Sequence, residues 1–140
     1  MPTWILYSIL AMIFAGFTSI LAKYGLQNIN PDLGLGVRTT TIFLIISLYV
    51  LMTHKTKDLH LLTQKQLILL VLSGLTTTFS WLFYYRAMKD GLVSYVAAID
   101  KCSIVITLLL SFTLLKEPLT PKILIGGGLI FLGTIVLIFK

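Results

Sequence analysis

Asp100 and Lys101 lie side by side within an otherwise uncharged run, and they are the first residues to ask what chemistry the chain could do. Asp100 comes eight positions after Leu92, about 12 Å along a helix at 1.5 Å per residue, which puts it near the middle of a bilayer. An ionised side chain there costs about 2.5–3.5 kcal/mol even on the lenient insertion scale, so it needs a partner, a watery cavity or a task. Adjacent positions on one helix point different ways, so Asp100 and Lys101 are expected to face different neighbours. Two readings follow for Asp100: a substrate or coupling-ion site, or an interhelical salt bridge with Lys23 or Arg38. Arg38 sits five residues into a second apolar run. Its guanidinium either snorkels to the headgroups or turns inward to neutralise Asp100 or hold an anionic substrate group. Lys23 closes the first run, as an interfacial anchor or a further cavity charge. Trp81 and Tyr84, at the end of the third run, belong to an aromatic belt or wall a cavity; Tyr85 fits the belt. The candidate substrate or coupling-ion residues are therefore Asp100, Lys101, Arg38, Lys23, Trp81 and Tyr84.

Other chemistries find no residues to carry them. Cys102 is the single cysteine, which excludes an internal disulfide and a cysteine-based metal cluster. His54 and His60 flank a lysine-containing stretch with no third ligand nearby, so no metal is expected. No phosphate-binding glycine loop, metalloprotease helix or nucleophile elbow is present, and one buried acid does not make an intramembrane enzyme. No cofactor and no enzymatic activity are expected. The excess of 11 Lys and Arg over 5 Asp and Glu is scattered among apolar runs. It forms no dense patch for nucleic acid and suits anionic lipid headgroups instead.

The elements that position these residues are membrane spans. The 140 residues are 57% hydrophobic and only 11% charged, against about 25% charged in soluble chains. Five runs are long and apolar: Trp4 to Ala22, Leu33 to Thr53, Leu67 to Tyr85, Leu92 to Leu115 and Ile123 to Phe139. A bilayer core of about 30 Å takes about 17–25 helical residues, and backbone polar groups in hydrocarbon must be satisfied within the segment. Barrel strands would be shorter and alternating. The first run lacks a basic leader and a small-residue cleavage site, so it reads as a retained span. The prediction is an all-α multi-pass membrane protein, a bundle of five helices in one domain over 1–140, in a cell (inner or plasma) membrane.

The links carry turn chemistry. Pro31 disfavours helix before it, Gly91 suits a left-handed cap, and Thr120-Pro121 reads as N-cap and first helical residue. The stretch His54 to Gln66 is the one longer polar connection. Small residues Ser8, Ala11, Ala15, Thr18 and Ala22 form one stripe. Gly126 and Gly133 share a face that serves as a packing or dimer seam. The hydroxyls of Ser73, Thr76, Thr77 and Thr78 are expected to bond back to their own helix or to line a polar cavity.

Five spans put the termini on opposite sides. Lys55, Lys57, Lys65, Lys116 and Lys122 share one side with the N-terminus; Lys23, Arg86, Lys89 and Lys140 lie on the other, joined by Arg38 if it is counted there. Orientation follows Lys/Arg excess, and here the excess is nearly nil. Dual insertion would let two copies supply the inverted halves that many transporters need.

In this order and spacing the residues resemble a single EamA domain of the drug/metabolite transporter superfamily. They are Lys23-Tyr24-Gly25-Leu26, Pro31, Arg38, Tyr84-Tyr85-Arg86-Ala87-Met88, Ile99-Asp100-Lys101-Cys102-Ser103, Leu115-Lys116-Glu117-Pro118-Leu119-Thr120, and the stretch from Gly126 to Gly133. The resemblance implies one half of a ten-helix inverted-repeat transporter, completed by an antiparallel homodimer or a second five-helix chain. Such a pair would move a small polar or amphipathic metabolite, outward, by alternating access. A lipid-carrier flippase subunit and a non-transporting scaffold subunit are the alternatives. Ala98 stands where family members often have proline, so the family pattern gives no ground here for a break in span four. Span one has no acid, unlike the related small multidrug resistance proteins.

Overall fold

A computed structural model describes residues 2–138. The described residues are helical and contain no strand. The helices are α1 (Thr3–Gly25), α2 (Pro31–Met52), α3 (Gln64–Asp90), α4 (Val93–Lys101), α5 (Ser103–Leu114) and α6 (Pro121–Ile138), with a 3₁₀ segment at Lys55–Leu61. Five helical stretches among them are long and apolar enough to cross a membrane, α4 and α5 together making the fourth. Large apolar side chains point outward throughout, Phe14 and Phe43 being 68% and 67% exposed. Water would not tolerate such a surface, and lipid solvates it.

The chain forms two compact units, 1–90 and 91–140. In the first, α3 packs against both α1 and α2. Its buried side chains, Leu26, Leu35, Tyr85 and Met88, cluster where α1 ends, α2 begins and α3 ends. Local chemistry sets those ends. Asn30 caps α2 by accepting from Asp32 N–H at 2.8 Å, with Pro31 at the first helical position. Thr63 and Gln66 form a capping box at the start of α3: Thr63 N–H donates to Gln66 Oε1 at 2.9 Å, and Gln66 N–H reaches Thr63 Oγ1 at 3.4 Å.

In the second unit α6 packs on α4 and α5. Thr120 Oγ1 accepts from Ile123 N–H at 3.3 Å ahead of Pro121, the N-cap arrangement that the sequence predicts. Gly127 gives α5 its close approach, since a Cβ there would come within 2.5 Å of Leu108 Cδ1. The expected seam at Gly126 and Gly133 is not that contact: a Cβ at either would meet nothing within 4 Å.

One local expectation is corrected. No described glycine has positive φ, so Gly91 is not a left-handed cap; the left-handed residues are Asn28, His54 and Lys116. α3 runs to Asp90, and the chain passes through Gly91 straight into the extended Leu92 that opens α4, with no left-handed turn between. Span four, where the sequence carries no proline signal, is interrupted between α4 and α5. Cys102 N–H bonds Ile99 O at 3.0 Å, and Val105 N–H bonds Cys102 O at 3.0 Å, a single 3₁₀ turn between α4 and α5. That turn deprives the Ala98 carbonyl of its α-helical partner; the buried Thr134 hydroxyl of α6 lies 3.4 Å from it while bonding Ile130 O of its own helix at 2.9 Å. A side chain from a neighbouring helix thus accompanies a break for which the sequence offers no proline.

Candidate substrate-binding site

The first unit holds a cleft of about 370 Å³ between α1, the link that follows it, α2 and α3. Thr18, Leu21, Ala22 and Gly25 line it from α1, Leu26 and Ile29 from the link, Gly34, Val37 and Arg38 from α2, and Tyr85 from α3. The lining is apolar apart from Thr18, Arg38 and Tyr85. The Thr18 hydroxyl donates to Phe14 O at 2.8 Å, so it is already satisfied within its helix.

Arg38 lies seven residues after Pro31, about 10 Å along α2. Its side chain crosses to α3, where the guanidinium carbon sits 4.3 Å from the Trp81 ring centroid and 5.6 Å from that of Tyr85. Arg38 Nη1 also donates to the Tyr85 hydroxyl at 3.3 Å. Trp81 and Tyr85 are one helical turn apart, which brings both rings to one face of α3. Cation–π contact and hydrogen bond together hold the guanidinium beside the cleft. None of the three carboxylates of this unit, Asp32, Asp58 and Asp90, is ion-paired with it.

Around this cage a set of polar ties fixes the three helix ends. Lys23 Nζ donates to Met88 O at 2.7 Å and Lys89 O at 3.1 Å. In the reverse direction, Lys89 Nζ donates to Leu26 O at 2.8 Å and Ile29 O at 2.9 Å. Each lysine therefore serves carbonyls that a helix end or link leaves open. Arg86 forks onto Asp32, Nε to Oδ1 and Nη2 to Oδ2, both at 3.0 Å. Ser19 Oγ and Tyr84 Oη, 2.9 Å apart, join α1 to α3.

Of the six residues singled out from sequence, Arg38 lines the cleft and Trp81 stacks on its guanidinium. Lys23 and Tyr84 belong to the ties that hold its walls. Asp100 and Lys101 lie in the second unit, with Lys101 Nζ 3.4 Å from Asp100 Oδ2. Adjacent side chains thus do meet, contrary to expectation, because the long Lys101 side chain folds back to the short Asp100 carboxylate where α4 ends. The hydroxyls of Thr76, Thr77 and Thr78 bond carbonyls of their own helix. Tyr85, Ser19, Lys89 and the Asp32–Arg86 pair were not singled out. The four-residue step from Trp81 to Tyr85 was the available signal for the first.

Five bilayer-length apolar helices define a multi-pass membrane protein, and its first unit carries an apolar cleft with a guanidinium at its wall. The model of the EamA-like transporter family matches residues 2–139, and the chain belongs to that family, whose members are membrane transporters of the drug/metabolite superfamily and not enzymes. It is 33% identical over 135 residues to an uncharacterized transporter in the cobO 3′ region of a Sinorhizobium species, an alignment covering 96% of each chain. It is 31% identical over 137 residues to an uncharacterized protein of Methanocaldococcus jannaschii, covering 98% of this chain and 97% of the other. No solved structure matches it.

Proposed function

We propose that the chain is one half of a secondary transporter of the inner or plasma membrane, exporting a small polar or amphipathic metabolite by alternating access. Two copies of opposite orientation complete the transporter, each supplying one of the inverted halves between which a midplane site opens to either side. The observation that carries this reading is the cage of Arg38, Trp81 and Tyr85, open on an apolar cleft, in a chain of a transporter family. A charge held in the bilayer without a carboxylate of its own unit is what a substrate-facing residue requires. Asp100, at the break between α4 and α5, titrates or pairs with the substrate, and Lys101 shapes the charge beside it.

The test is flux into proteoliposomes, with a panel of labelled amphipathic acids, amines and neutral solutes. Saturable flux of one class that falls at least about tenfold in Asp100→Asn, with helicity unchanged, supports the assignment. Unchanged flux in folded Asp100→Asn removes Asp100 from the pathway. A lipid that co-purifies in fixed stoichiometry, with no solute flux, favours the flippase alternative.

A further inference from the structure

We infer that the cleft of the first unit selects an amphipathic monoanion: one oxyacid group, such as a carboxylate, on a compact apolar body. The inference deepens the transporter reading and rests on it for the cleft's role. It starts from the donors that the structure leaves for a ligand. A guanidinium carries five N–H groups in a planar fork. The rings of Trp81 and Tyr85 engage Arg38 through its π-faced contacts, and the hydrogen bond given for it goes to Tyr85 Oη at 3.3 Å. The edge that suits an oxyacid, with parallel N–H groups, is not taken by any carboxylate of the unit, since Asp32 has both oxygens on Arg86.

Tyr85 adds a second donor. It is only 3% exposed, and its oxygen accepts from Arg38, so its own O–H proton remains to be donated beside the guanidinium. A cation would meet like charge here, and a polyhydroxylated solute would meet walls of Leu21, Leu26, Ile29 and Val37 with too few polar partners. An anionic head with an apolar body satisfies both ends. One guanidinium balances one negative charge, which offsets part of the penalty of holding either ion in the membrane alone. A volume of about 370 Å³ stands at the low end of the range of about 300–1,000 Å³ for small-molecule sites, which suits a short chain or single ring.

The experiment uses the full chain in phosphatidylcholine nanodiscs, with Trp4→Phe so that Trp81 alone reports. Octanoate, octan-1-ol and octylammonium are titrated against its emission. Octanoate should saturate, while the alcohol and the amine bind at least about tenfold more weakly. Tyr85→Phe keeps the ring and removes the donor; it should weaken octanoate about tenfold and leave the alcohol unchanged. Val37→Phe fills the cleft and should abolish the response. These two variants carry the test even if Arg38→Gln fails to fold. Equal binding of alcohol and acid, or full octanoate affinity in both variants, overturns the proposal. Loss of the octanoate response when phosphatidylglycerol replaces phosphatidylcholine makes the occupant a lipid headgroup and overturns the free monoanion. Saturable octanoate binding without flux of any solute sinks the transporter reading and leaves the site. Solute flux that octanoate does not inhibit sinks the site and leaves transport.

Discussion

Lys23 and Lys89 show how a charge near a membrane surface is put to structural use: each donates to carbonyls across the α1–α3 contact instead of reaching outward. Hydrogen bonds to a charged group are worth about 1.5–3 kcal/mol. Lys89→Met, which keeps the apolar stem, should therefore free the link at Leu26 to Ile29, and faster hydrogen exchange there would show it. Tyr84→Phe is milder. It removes the Ser19–Tyr84 bond, and interhelical bonds in bilayers average about 0.6 kcal/mol, so denaturant titration should read a loss of that order with octanoate binding intact. These predictions bear on what the sequence could show of the site. Arg38 and Trp81 were legible because their types are costly or unusual at their depth. Of the two tyrosines, the sequence pointed to Tyr84 for a cavity wall and to Tyr85 for the belt, whereas Tyr85 lines the cleft. Their separation, one tied to Ser19 and one buried against Arg38, depends on helix rotation that residue type does not encode. The roles of Lys23 and Lys89 were hidden for a similar reason, since carbonyl acceptors leave no mark on composition.

At the scale of elements, length and apolarity were enough to place the spans, because a bilayer imposes one thickness on every crossing helix. The break at Cys102 was not legible. It has no proline or glycine, and the hydroxyl beside it lies on another helix, more than thirty positions along the chain. Thr134→Val tests whether that hydroxyl, 3.4 Å from Ala98 O, helps to hold the break. Without the hydroxyl, Cys102 N–H should return to Ala98 O, and exchange at Asp100 to Val105 should slow; unchanged exchange would assign the break to something other than Thr134. The glycines of α6 separate in the same way. Gly127→Ala forces the terminal methyl of the half-exposed Leu108 to move and should cost up to about 1 kcal/mol, the low end of overpacking. Gly126→Ala meets nothing and should be neutral, or stabilising by up to about 1 kcal/mol, because alanine is the better helix former. Denaturant titration of both variants checks the pair.

For the whole molecule the open question is orientation, and the lysines are unequal levers on it. Lys23, Arg86 and Lys89 hold helix ends together, so removing them changes the fold as well as the charge bias. The connection from His54 to Gln66 is exposed, and charge added there alters bias alone. Its side already carries Lys55, Lys57, Lys65, Lys116 and Lys122, against Lys23, Arg38, Arg86, Lys89 and Lys140 opposite, which is five against five. Thr56→Lys with Gln64→Lys would make it seven against five, and the positive-inside rule then fixes one orientation. Paired reporters on the C-terminus, active on opposite sides of the membrane, should change from two signals to one. If inverted copies make the transporter, flux should fall with the second signal. It should return on co-expression with Lys55→Gln, Lys57→Gln, whose count of three against five favours the opposite orientation. Flux that survives in the one-sided variant alone would show that parallel copies suffice. A single signal from the unaltered chain would overturn dual insertion, and the second half would then have to be a different five-helix chain of opposite bias.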